Sequence, residues 1–115
     1  VQVVLLLDSS QFKDYECRVC PGGVIIAEQT GLNTEGSTGG YRLYKVNALE
    51  TAAGMGNIMT SNIVMLGAYT AITKVINPKL IEAELYRRYE TKEKVLADNV
   101  KAFKKGIALC RATQS

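Results

Sequence analysis

The pattern of apolar and polar positions is most distinctive in the middle of the chain, where no charged residue occurs from Thr51 through Thr73. From Ile63 onward, Val64, Met65, Leu66, Ala68, Tyr69, Ile72, Val75 and Ile76 cover most of a helical circumference, leaving a narrow polar seam of Asn62, Thr70 and Thr73. A surface helix shows one apolar stripe, whereas a helix apolar nearly all round is buried or lies in a bilayer. A membrane span needs about 20 predominantly apolar residues. This segment opens with Gly56-Asn57, carries Thr60-Ser61-Asn62 and reaches Lys74 near its far end. It predicts a central buried helix of a soluble domain.

The flanking patterns predict the rest of the fold. Val1 to Leu7 (VQVVLLL) and Val24 to Glu28 (VIIAE) are short, nearly unbroken apolar runs of the kind found in strands covered on both faces. Between them, Asp8-Ser9-Ser10 supplies N-cap oxygens for a helix to about Arg18, with Phe12, Tyr15 and Val19 as its inward stripe, and Pro21-Gly22-Gly23 makes the turn. Strand, helix, turn and strand in this order form a βαβ crossover. Gln29 to Gly40 (QTGLNTEGSTGG) has no periodicity and reads as a loop. Tyr41 to Val46 alternates like a strand near a sheet edge, and Asn47 begins a short helix that stops at Gly54. After the central helix, Asn77-Pro78 pairs an N-cap with proline at the first helical position, and Ile81, Leu85 and Tyr89 mark that helix's inner face. A last helix from Thr91 carries Leu96, Val100, Phe103, Ile107 and Cys110 on one side, opposite Lys94, Asp98, Lys101 and Lys105. This amphipathic pattern places it on the surface of the sheet layer.

With 115 residues and 47% hydrophobic content, the chain fits one domain, residues 1–115, with one core. The opening directly on an apolar strand, without a polar lead-in, creates the expectation of further residues upstream. From Lys74 onward there are ten Lys or Arg against five Asp or Glu, so the basic excess lies on the last two helices. Acidic residues are interspersed and no aromatic stacking pattern accompanies them, which fits a solvated face rather than a nucleic-acid surface. The chain has no histidine. That excludes Ser-His-Asp and Cys-His nucleophile arrangements and His-ligated metal within this chain. Three cysteines without a signal peptide point to a reducing cytoplasm.

Few residues suggest chemistry of their own. Cys17 and Cys20 form a CxxC, but the remaining thiol, Cys110, sits in an apolar helical stripe, and a redox CxxC should open a helix rather than close one. The glycines between Gly31 and Gly40 lead into a strand, not into the helix N-terminus that a phosphate cradle requires. Asp8-Ser9-Ser10 lies where open α/β sheets bind ligands, yet N-capping accounts for it. Asn57 and Asn62 flank the start of the central helix, where either can cap it or present an amide to a partner.

The segments PGGVIIAEQTGL (Pro21 to Leu32), YRLYKVNALETAAGMGN (Tyr41 to Asn57), NIVMLGAYTAITKVI (Asn62 to Ile76) and LADNVKAFKKGIAL (Leu96 to Leu109) together resemble the gamma subunit of 2-oxoacid:ferredoxin oxidoreductases. This family includes the pyruvate, 2-oxoglutarate, 2-oxoisovalerate and indolepyruvate enzymes. The landmarks are the Pro-Gly-Gly turn, the Gly-Asn before the central helix, Asn62 followed by Met65-Leu66-Gly67-Ala68, and Asn99, Phe103 and Gly106. The family's N-terminal GxGGQG turn is absent, and Cys17 and Cys20 are no part of its pattern.

The resemblance implies an α/β fold, a three-layer α/β/α, Rossmann-like domain with a largely parallel sheet, of the pyruvate-ferredoxin oxidoreductase domain III type. The chain would then be the C-terminal two-thirds of a gamma-subunit domain. It also implies a cytoplasmic partner of alpha and beta, and in some complexes delta, subunits that decarboxylate a 2-oxoacid oxidatively to an acyl-CoA and pass electrons to ferredoxin or flavodoxin. Thiamine diphosphate, iron-sulfur clusters and CoA would belong to the whole complex, with no cofactor, catalytic residue or metal held by this chain, and no nucleic acid or membrane as partner. Asn62, Met65 and the loop glycines Gly39 and Gly40 are the candidates for facing partner chains. Against this, core filling is the readier expectation for Met55, Met59 and Met65. The competing reading is a stand-alone Rossmann-like module that binds a nucleotide or another small molecule.

Overall fold

β-Branched and leucine side chains favour a pleated backbone that buries them on both faces. In the computed structural model, which describes residues 3–16, 18–19, 22–33 and 40–114, the three apolar runs accordingly form one parallel sheet. Its strands are β1 (Val3–Leu6), β2 (Val24–Glu28) and β3 (Arg42–Val46), in the order β1-β2-β3. Residues 1 and 2 of the first predicted strand lie outside the described residues. By internal contacts the chain divides into two compact units, Val1–Asn47 and Ala48–Ser115.

In the first unit, Val4 pairs with Ile25 and Leu6 with Ala27, while Ile25 pairs with Leu43. These residues share one face and pack with Phe12, which is 1% exposed, and with Tyr15, Val19 and Tyr41. The helix that supplies Phe12, α1 (Phe12–Glu16), is only five residues long and follows a 3-10 turn at Ser9–Gln11. Tyr41 anchors it: the two rings meet edge to face at 6.3 Å, and the Tyr41 hydroxyl donates to Glu16 Oε2 at 2.6 Å. Beside Tyr41, Gly22 N–H donates to the Gly40 carbonyl at 2.7 Å, tying the entries of β2 and β3 together. Both glycines have φ of +86°, a conformation that side chains disfavour.

The second unit is helical: α2 (Ala48–Gly54), a 3-10 turn at Ile58–Thr60, α3 (Ser61–Thr73), α4 (Pro78–Arg88) and α5 (Glu93–Gln114). The glycine that turns the chain out of α2 is Gly56 (φ +85°), not the expected Gly54. Asn57 N–H donates to the Ala52 carbonyl and Gly56 N–H to that of Ala53, both at 3.0 Å, the double bond of a Schellman motif. The central helix ends earlier than its apolar run suggests. Lys74 adopts a left-handed conformation (φ 55°) as C-cap, leaving Val75 (72%) and Ile76 (43%) exposed.

In the polar seam of α3, Asn62 is exposed and the two threonines satisfy themselves within the helix. Thr70 is buried, and its hydroxyl donates to the Leu66 carbonyl at 2.8 Å; Thr73 does the same to Tyr69 at 2.9 Å. Folding each hydroxyl back on its own helix satisfies it without water. α3 crosses α5 in close contact at Gly67 and Gly106: a Cβ on Gly67 would strike the Phe103 carbonyl, and one on Gly106 the Val64 carbonyl. The buried stripe of α5 is therefore Asn99, Ala102, Phe103, Gly106 and Cys110. The larger Leu96, Val100 and Ile107 of the predicted stripe lie on its flank, half-buried, because a backbone-to-backbone crossing admits only small residues at its centre.

Candidate functional site

Parallel sheets present their ligand-binding groups at the carboxyl ends of their strands. After β1, Asp8 Oδ1 accepts Ser10 N–H at 3.0 Å and its carbonyl accepts Gln11 N–H at 3.3 Å, so the carboxylate caps the turn as expected. The Ser10 backbone bond, with help from the Ser10 hydroxyl, holds the Asp8 pKa below the ordinary carboxylate value. At the end of β2 the structure adds a residue that sequence reasoning passed over. Glu28 is 2% exposed, and its Oε1 accepts Thr30 N–H at 2.6 Å. The available signal was an acidic residue closing an otherwise apolar strand.

The most organised surface feature lies where α3 begins. Asn57 uses both ends of its amide: Oδ1 accepts Met59 N–H at 3.1 Å, and Nδ2 donates to Asp98 Oδ2 on α5 at 3.0 Å. Thr60 closes the turn by donating its hydroxyl to the Asn57 carbonyl at 2.7 Å. Asp98 also receives Lys94 Nζ at 3.1 Å. These two donors, the Asn57 amide first, keep the Asp98 pKa low. The result is a fixed tip that holds two apolar side chains in solvent, Ile58 at 53% and Met59 at 82% exposed. Burying either against a partner would be favourable, and the turn's order lowers the entropy lost in doing so.

The predicted interface residues separate in this arrangement. Asn62 is exposed in the first turn of α3, one turn from Met59. Met65 is 1% exposed, because position 65 shares the packed side of α3 with Val64 and Ala68; its side chain fills the core of the helical unit instead of facing outward. Gly40 is exposed, and its carbonyl is engaged by Gly22. Gly39 lies outside the described residues, as do Cys17 and Cys20.

The described side chains do not converge on a metal or cluster site. Among the described residues no group of three or more Cys, Asp or Glu is placed to hold a metal ion. Cys110, the described thiol, is buried with its Sγ 3.6 Å from the Ala68 carbonyl, and burial pushes its pKa up to about 11. A thiol so placed is a poor thiolate ligand. These residues do not fit an iron-sulfur cluster or a metal-bridged diphosphate. What the tip at Asn57–Asn62 offers is apolar contact and amide hydrogen bonding, which is the chemistry of recognition. No described helix is long and apolar enough to cross a membrane.

Residues 1–109 match the family described as pyruvate ferredoxin/flavodoxin oxidoreductase. The sequence finds no significant match among curated proteins. Among solved structures, the fold is similar to the 2-oxoglutarate:ferredoxin oxidoreductase of Magnetococcus marinus, solved with 2-oxoglutarate, coenzyme A and succinyl-CoA bound. The TM-score is 0.86 and the identity 25%, over 96% of this chain and 20% of that one. It is also similar to the gamma subunit of a keto/oxoacid ferredoxin oxidoreductase from Geobacter sulfurreducens PCA, with a TM-score of 0.80 and 27% identity over 96% of this chain and 64% of that one. The chain thus spans less than two thirds of the length of either structure. Both likenesses bear out the expected α/β fold with its parallel sheet.

Proposed function

The chain belongs to the pyruvate ferredoxin/flavodoxin oxidoreductase family, and from that premise we propose that it is the gamma subunit, or gamma domain, of a 2-oxoacid:ferredoxin or flavodoxin oxidoreductase. In this reading residues 1–115 are the C-terminal two-thirds of the gamma domain, and the chain works in the cytoplasm. It packs against alpha and beta subunits that hold thiamine diphosphate and iron-sulfur clusters, and it helps wall the region where 2-oxoacid and CoA react. The chain itself supplies shape and contact surface, not catalytic groups.

The observation that carries this proposal is the likeness to a gamma subunit across 96% of the chain. The anchored tip gives it a physical means. Ile58, Met59 and the exposed Asn62 form a preorganised apolar and amide surface suited to a partner subunit, and the segment at Gly39 and Gly40 is a second candidate contact.

Affinity isolation of the tagged chain from its own cells, followed by mass spectrometry, tests the proposal. Co-purification of the large thiamine-binding subunits is the expected result. Recovery of the chain alone, with its melting temperature raised by a nucleotide, would instead make it a free-standing binding module.

A further inference from the structure

α4 packs against α5, and along their outer side the two helices leave a groove of about 560 Å³ that opens to solvent. Its apolar floor includes Tyr86 from α4, 54% exposed, with Leu96 and Val100 from α5. Leu96, Val100 and Lys104 recur every four residues, so the floor runs straight along one helical face. Lys101, Lys104 and Lys105 line it at one end and Glu93 at the other. Lys104 reaches Glu82 at 3.7 Å, Lys101 acts on Asp98 only through its electrostatic field, and Lys101 and Lys105 are exposed and make no contact ion pair among the described residues.

We infer that this groove docks an acidic amphipathic helix of a partner subunit. The trough between two packed helices accepts the ridge of a third, whose apolar residues at three- and four-residue spacing would lie over Tyr86, Leu96 and Val100. The lysines at one end demand carboxylates on the incoming helix there, and Glu93 favours a basic residue at its other end. An exposed tyrosine beside half-buried aliphatic residues matches the composition of a protein interface. A small anionic ligand fits less well, because flexible lysines at an open rim provide no fixed hydrogen-bond geometry. This groove shares no lining residue with the tip at Ile58–Asn62, and the inference rests on the proposed role of the chain as a subunit.

The test uses the tagged chain isolated with its native partners. Carbodiimide treatment joins an amine to a carboxylate within contact distance, so it should link Lys101 or Lys105 to acidic residues spaced three or four apart in a co-purified subunit. The double variant Lys101→Glu with Lys105→Glu changes exposed side chains only. It should keep its circular dichroism and melting temperature while retaining about tenfold less of that subunit and losing the cross-links. If the large subunits co-purify but these lysines give no cross-link and the variant retains them equally, the groove inference fails and the subunit role stands. Recovery of no subunit at all removes both. Cross-links only between copies of this chain, or lysine-dependent binding to phosphatidylserine vesicles without cross-links, would overturn the inference in favour of self-association or a lipid surface.

Discussion

Replacing Gly106 by alanine separates local propensity from tertiary packing, because the two predict opposite signs. In a helix interior Ala is favoured over Gly by about 1 kcal/mol, so α5 alone would gain stability. The structure predicts a loss. A Cβ at position 106 would fall on the Val64 carbonyl oxygen and lie 2.9 Å from the Ala68 nitrogen, and these are backbone atoms that cannot rotate away. Relief requires α3 and α5 to part by roughly 1 Å, which forfeits a quarter to a half of each dispersion contact it stretches. The buried Val64, Met65, Ala68, Ala102 and Phe103 lie on these two helices. Overpacking of this kind costs about 1–3 kcal/mol and occasionally more. Set against the propensity gain, a net loss of about 1–2 kcal/mol should lower the melting temperature by roughly 5–10 °C, read by circular dichroism. A melting temperature unchanged or raised would refute the close crossing.

Three further outcomes follow from other groups. Asn57→Ala removes the cap on Met59 N–H and one donor to Asp98, so stability should fall by about 1 kcal/mol from the lost cap and the Asp98 pKa should rise toward its ordinary value in a carboxylate NMR titration. Because the folded-state pKa of Asp98 is depressed, its contribution is present above the unfolded value, about 4, and is lost as pH falls through the lowered folded value. The variant should therefore show a shallower loss of stability below about pH 4. Cys110, with its pKa raised to about 11, should resist iodoacetamide at pH 8 in the folded protein and react in urea, as peptide mapping would show. Lys74→Gly relieves a left-handed non-glycine residue at the end of α3 and should stabilise the protein by up to about 1 kcal/mol in denaturant titration.

Where periodicity and local chemistry act alone, the fold is legible from the residues. The three strands, the Asp8 cap and the Asn77-Pro78 start of α4 all follow from short-range rules, and Asn77 Oδ1 does accept Lys79 N–H at 2.9 Å. Legibility ends where tertiary contact decides. Gly67 and Gly106 are landmarks of the resemblance, but their pairing across α3 and α5 needs three dimensions to be seen. For the same reason Leu96 and Val100 look like core residues in the sequence, although smaller neighbours occupy the crossing. Asp98 looks like a surface charge until Asn57, 41 residues away, is placed beside it. Of the interface candidates, Asn62 is at the surface and Met65 is not, and composition treats the two alike. The tip at Ile58 and Met59 was hidden by the assumption that an apolar run continues as buried helix. The 3-10 turn before α3 breaks that run and turns both side chains outward.

The central claim, that this chain is one subunit of a 2-oxoacid oxidoreductase, is tested most directly by assaying material purified through a tag on the chain. Reduction of ferredoxin or flavodoxin that requires both a 2-oxoacid and CoA, co-eluting with the chain through gel filtration, is the predicted result. Elution of the chain away from all such activity, in extracts where the activity is present, would contradict it.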